Sequence, residues 1–125
     1  MNDKQIDAVL GLSGPERVQH FAKVVTDREE AWGLYGDGWA SSATDEGATA
    51  FPIWPARDYA QLCGVEEWAT YSPRAISLDD LMDRLIPMLR EQSADVAVFQ
   101  TPSGCGVTMT PDEVHAMLAS ELERY

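Results

Sequence analysis

The chain has 125 residues, 45% of them hydrophobic, and sets 21 Asp and Glu against 9 Lys and Arg for a net charge of −12. That length suits one domain and can bury roughly 70% of the unfolded surface, so no disulfide or metal is needed to hold it. The charge repels phosphate backbones and anionic lipid, which argues against nucleic acid and membrane partners and favours encounter with a basic protein, although acidity also serves simply to keep a protein soluble.

The first elements are helical. Ile6, Val9 and Leu10 share one face, and Gly11 with Ser13-Gly14-Pro15 then breaks the pattern. Ser13 followed three residues later by Glu16 has capping-box spacing, and Val18, Phe21, Ala22 and Val25 form the stripe of the helix it opens. After Arg28 the period shortens. Residues 31–35, 39–42 and 48–53 read as three strands, joined by the turns Gly36-Asp37-Gly38 and Asp45-Glu46-Gly47, with the third ended by Pro52 and Pro55. Tyr59, Ala60, Leu62 and Cys63 suit a short helix stopped near Gly64, and 65–71 reads as another helical turn ending at Ser72-Pro73.

Ser77 caps the clearest helix, with Asp79 and Asp80 at its positive end and Leu78, Leu81, Met82, Leu85, Ile86 and Leu89 on one stripe. Pro87 removes a backbone donor inside it, which predicts a kink or a looser last turn. Residues 96–99 form a buried-type strand, the turn at 101–104 returns it as a hairpin through 105–109, and Thr110-Pro111 with Glu113 opens the last helix. The class is therefore α+β: an antiparallel sheet of about five strands, made of the three-strand meander plus the later hairpin, with helices mainly on one face. No repeat, low-complexity tract or linker interrupts it, so 1–125 reads as a single domain.

Glu30-Ala31-Trp32-Gly33-Leu34-Tyr35, Asp37-Gly38-Trp39-Ala40, Phe51-Pro52-Ile53-Trp54-Pro55 and Asp58-Tyr59-Ala60 recur in an unusual order. With Val96-Ala97-Val98-Phe99, Thr101-Pro102 and the closing Glu121-Leu122-Glu123-Arg124-Tyr125, they resemble the bacterial DUF2750 family over roughly residues 14–125. That family is one of unknown function, so the resemblance implies a small bacterial cytosolic domain and carries no catalytic residues.

The chemistry-bearing residues concentrate in the middle. All four tryptophans lie between Trp32 and Trp68, among Tyr35, Phe51, Tyr59 and Tyr71, and the acidic turns around Asp37 and Asp45 flank them. An aromatic floor with an acidic rim suits an Arg or Lys side chain through cation–π contact and charge pairing. The same rings could instead fill the core, and the acids could be solvated turns. Both readings stay open for Trp32, Tyr35, Asp37, Trp39, Trp54, Arg57, Asp58 and Tyr59, the expected ligand or partner surface. His20 and His115 sit alone on amphipathic helices, where a structural role outweighs that of a general base. Cys63 and Cys105 lack a second soft ligand and any neighbouring cation, so neither a metal nor a reactive thiol is expected. No phosphate loop, dinucleotide fingerprint or nucleophile elbow occurs, and no cofactor is implied.

These features predict a non-catalytic binding protein that meets a basic protein partner through the aromatic, acidic surface, in one version an immunity-type inhibitor of a basic toxin. The alternative is a small hydrolase or transferase with a pocket near residues 37 and 54–59. A homodimer is compatible with either. Isolated cysteines, no signal-like N-terminus and no apolar run of spanning length predict the cytoplasm.

Overall fold

The computed structural model describes residues 3–43, 48–102 and 106–124. In chain order these form α1 (Asp3–Leu10), α2 (Gly14–Arg28), β1 (Glu30–Tyr35), β2 (Ser42–Ala43), β3 (Thr49–Ile53) and α3 (Arg57–Cys63). A 3-10 turn (Glu66–Trp68) leads to β4 (Ser72–Ser77), α4 (Leu78–Asp80), a π-helical turn (Leu81–Leu85) and α5 (Ile86–Glu91). β5 (Asp95–Val98), β6 (Val107–Met109) and α6 (Pro111–Leu122) complete the described elements. The turn expected at Asp45-Glu46-Gly47 and the position of Cys105 lie outside the described residues.

Local signals set the helix boundaries. Ser13 Oγ accepts the Glu16 N–H at 3.3 Å while the Ser13 N–H donates to Glu16 Oε1 at 3.2 Å, closing the capping box of α2. Thr110 and Glu113 make the same reciprocal pair at the start of α6, at 3.1 and 2.9 Å. Ser77 Oγ accepts from Asp80 N at 3.1 Å and starts a continuous helical rod through α4 and α5. Pro87 would drive its ring into the carbonyl of residue 83, and the rod widens to a π turn immediately before it, which opens the space the ring needs. None of the described helices is long and apolar enough to cross a membrane.

The α+β class holds, with mixed rather than wholly antiparallel strand pairing. β2 and β3 do pair antiparallel, and β5 and β6 form the expected hairpin with Val96 opposite Met109. β3 and β5, however, run parallel, with Phe51 opposite Val96 and Ile53 opposite Val98. β1 takes as its partner β4, a segment that the sequence reads as the end of a helical turn. The order is thus β2-β3-β5-β6 in one sheet and β1-β4 in another. Trp32 and Trp54 exchange backbone hydrogen bonds of 2.8 Å each way and stitch the two together. β3 also runs through Pro52 rather than ending there. Trp54 directs its N–H toward Trp32, so Pro52, two residues earlier, directs its missing N–H the same way, past the last β2 pairing at Ala50. No ladder bond is lost there.

Phe21, Val25, Ile53, Trp54, Tyr59, Val98, Phe99 and Leu118 are buried at the centre of the core. Each such side chain contributes about 1.5–3 kcal/mol by leaving water. Phe99 pays for its place with a left-handed backbone, φ 56°. Its N–H donates to the Ile53 carbonyl at 2.9 Å, and its ring packs 4.8 Å from that of Tyr59. The reversal turns the next carbonyl, that of Gln100, inward, where it accepts the Trp54 indole N–H at 2.8 Å and the Cys63 thiol at 3.3 Å.

Candidate functional site

The alternation along β1 splits its side chains. Leu34 points to α3, coming within reach of the Gly64 position at the end of that helix. Gly33 points the other way, and antiparallel register places Arg74 directly across from it, Ile76 across from Ala31, and Ser72 across from Tyr35. The absence of a side chain at Gly33 leaves a slot that Trp39 fills. After the Gly36–Gly38 turn, closed by a 2.9 Å hydrogen bond from Gly36 N to Gly38 O, the chain folds back and brings the Trp39 ring over Gly33.

The result is a graded aromatic row. Trp39 stands edge-on to Tyr35 with centroids 5.1 Å apart, and on its inner side it meets the buried Phe51 at 5.7 Å. The guanidinium of Arg74 caps the row, 4.4 Å from the Tyr35 centroid and 5.9 Å from that of Trp39. These distances are those of cation–π contact, and the ring quadrupoles supply the attraction. Among the described residues Arg74 makes no ion pair.

A groove of about 520 Å³ runs beside this row, between the β1–β4 ladder and the α4–α5 rod. Ile76, Leu85 and Met88 make its apolar floor, and Met88 is 40% exposed. Asp80 and Arg84 stand on the rod side, paired at 3.6 Å with both side chains largely in water, where such a pair contributes little. Among the described residues β4 pairs with no strand other than β1.

The expected site residues separate into three places. Tyr35 and Trp39 reach the groove, and Asp37 sits exposed in the turn that joins them. Trp32, half-buried, and Trp54, with no exposed surface, belong to the stitch between the sheets, and Trp54 also meets Trp68 edge-on at 6.3 Å. Arg57 is exposed on α3, Asp58 is half-buried, and Tyr59 is a core residue. Among the described residues Asp37 lines neither the groove nor the cavity that Ala56 and Tyr59 border, and residues of α1 and α2 line the latter as well. Trp54 is in the core because its indole N–H finds a partner only in the inward carbonyl of Gln100.

Sequence reasoning missed Arg74, Ile76 and Met88. The available signal was the alternation from Arg74 to Ile76 after Pro73, a proline tolerated on an edge strand. Cys63 is inert by environment, since burial pushes its thiol up to about 11 against the opposing effect of the Trp54 N–H. No group of three His, Cys, Asp or Glu among the described residues could hold a metal ion.

Neither a curated protein nor a solved structure matches the chain. The model of DUF2750, a family described as proteins of unknown function, matches residues 18–118, which carry both walls of the groove, and the chain belongs to that family.

Proposed function

We propose that this chain is a non-catalytic binding domain that takes an arginine-bearing segment of a basic protein partner into the Tyr35–Trp39 groove. The observation that carries the reading is the stacking of Arg74 on Tyr35 at 4.4 Å: the platform is complementary to a guanidinium, because it already holds one of the chain's own. An exposed contact of this kind is worth about 0.5–1 kcal/mol, so an incoming arginine displaces Arg74 at small cost. The apolar floor at Ile76, Leu85 and Met88 accepts the neighbouring side chains of the partner. The net charge of −12 steers a basic surface toward the domain.

The test is calorimetric titration of the full chain with a short arginine-rich peptide at low and high salt. Tyr35→Leu weakens binding. Arg74→Ala, which vacates the platform, strengthens it severalfold beyond Arg84→Ala, which removes the same charge from the other wall. Equal affinity in all four proteins sinks the proposal, because it reduces the binding to non-specific charge attraction.

A further inference from the structure

Arginine is ordinarily recognised through its N–H donors, which fork onto a carboxylate in a planar, bidentate pair. The Tyr35–Trp39 groove is poor in that chemistry. Among the described residues Asp80 is the one carboxylate that lines it, and Arg84 stands 3.6 Å from that carboxylate. Asp37 sits exposed in the turn between the two rings and does not line the groove. The lining side chains therefore set two cations, Arg74 and Arg84, against one anion.

The groove is rich in ring faces instead. Tyr35 and Trp39 meet at 81° with centroids 5.1 Å apart and make a corner, and the Arg74 guanidinium lies over both, at 4.4 and 5.9 Å. The corner is held from behind, since Trp39 rests on Gly33 and on the buried Phe51, with centroids of the two rings 5.7 Å apart. It stands in place before a ligand arrives, which spares the cost of ordering it. Ile76, Leu85 and Met88 continue the apolar surface away from the rings.

Methylation of a guanidinium keeps its charge and removes N–H donors. At a carboxylate fork that is a loss. Against ring faces and an apolar floor it is a gain, because the cation–π attraction survives and each methyl adds apolar area to cover. We propose that the groove selects an arginine carrying two methyl groups on one terminal nitrogen over an unmodified arginine. The inference rests on the groove's proposed role as an arginine platform and adds the modification state it prefers. The methylated guanidinium takes the place of Arg74 over Tyr35, with its methyl groups against the Tyr35–Trp39 corner. Arg84 enforces the choice, because its charge beside Asp80 offsets the carboxylate onto which an unmodified guanidinium would fork.

The test is calorimetric titration of the full chain with two short arginine-rich peptides. They are identical except at one central arginine, unmodified in one and dimethylated on a single terminal nitrogen in the other. The methylated peptide should bind about three- to fivefold more tightly, the gain from the methyl surface the rings cover. That advantage should vanish in Tyr35→Leu and narrow in Arg84→Ala, which frees Asp80 for the unmodified guanidinium. The Arg84 side chain is 84% exposed, so this variant keeps the fold. Equal or weaker binding of the methylated peptide overturns the proposal, and Tyr35-dependent binding of the unmodified one would then still uphold the arginine platform. An advantage that persists in Tyr35→Leu overturns it, because the methyl groups then gain their contacts elsewhere. An advantage undiminished in Arg84→Ala overturns it as well, because the carboxylate then plays no part in the choice. Binding of neither peptide in a Tyr35-dependent way overturns both the preference and the platform.

Discussion

Trp39 packs onto the backbone of Gly33 so closely that a Cβ at position 33 would lie 2.9 Å from Cζ3 and 3.0 Å from Cε3 of the indole. Backbone conformation does not demand this glycine; the ring does. Gly33→Ala should push Trp39 off the β1–β4 ladder and cost about 1–3 kcal/mol, as overpacking does. Urea unfolding gives the loss, and near-ultraviolet circular dichroism registers the displaced indole. A variant as stable as the parent, with an unchanged aromatic spectrum, contradicts the packing described.

Trp54 and Trp32 exchange backbone hydrogen bonds but differ in what their rings do. Trp54 has no exposed surface and donates to Gln100 at 2.8 Å, whereas Trp32 is half-buried. Trp54→Phe should therefore cost about 2–4 kcal/mol, from lost volume plus an inward carbonyl left with the Cys63 thiol as its remaining partner. Trp32→Phe should cost clearly less. Paired denaturation curves decide it, and equal losses would refute the assignment of Trp54 to the core.

Thr110 closes the capping box of α6, whose Val114 and Leu118 are fully buried. Thr110→Ala should cost about 1 kcal/mol, and Thr110→Ser far less, because the hydroxyl rather than the methyl accepts the Glu113 N–H. Thermal unfolding of the two variants side by side is the measurement.

Stability should fall at both ends of the pH scale, for opposite reasons. Burial raises Cys63 from 9.0 to about 11, so the unfolded chain loses this proton first. The contribution is intact below about pH 9 and is lost as pH rises through 11. Tyr59, raised chiefly by burial, adds a loss in the same direction above its ordinary value of 10.0. His20, lowered chiefly by burial, works at the acid end: its contribution is present above 6.5 and fades as pH falls through the lower folded value. Denaturation midpoints measured against pH test this, and Cys63→Ala should flatten the limb between pH 9 and 11. An alkaline limb unaltered by that change would rule out the buried thiol as its source.

The sequence alone determined the features that depend on neighbours three or four residues apart. Ser13 with Glu16 and Thr110 with Glu113 announced two helix starts, Pro87 announced a disturbance in its helix, and the β5–β6 hairpin followed from strand, turn and strand. The two capping boxes are closed by local hydrogen bonds whose partners are set by spacing. Tertiary structure decided the rest, because strand partnership and burial are long-range. Alternation in β1 separates Leu34 from Gly33 and Tyr35 but does not say that β4 lies across from them, nor that β3 runs parallel to β5. The aromatic cluster was legible as a composition, yet only packing sent Trp54 and Tyr59 inward and left Tyr35 and Trp39 at a groove. The cation expected from a partner is in the first instance Arg74, brought 4.4 Å from Tyr35 by a strand pairing that spans nearly 40 residues of chain.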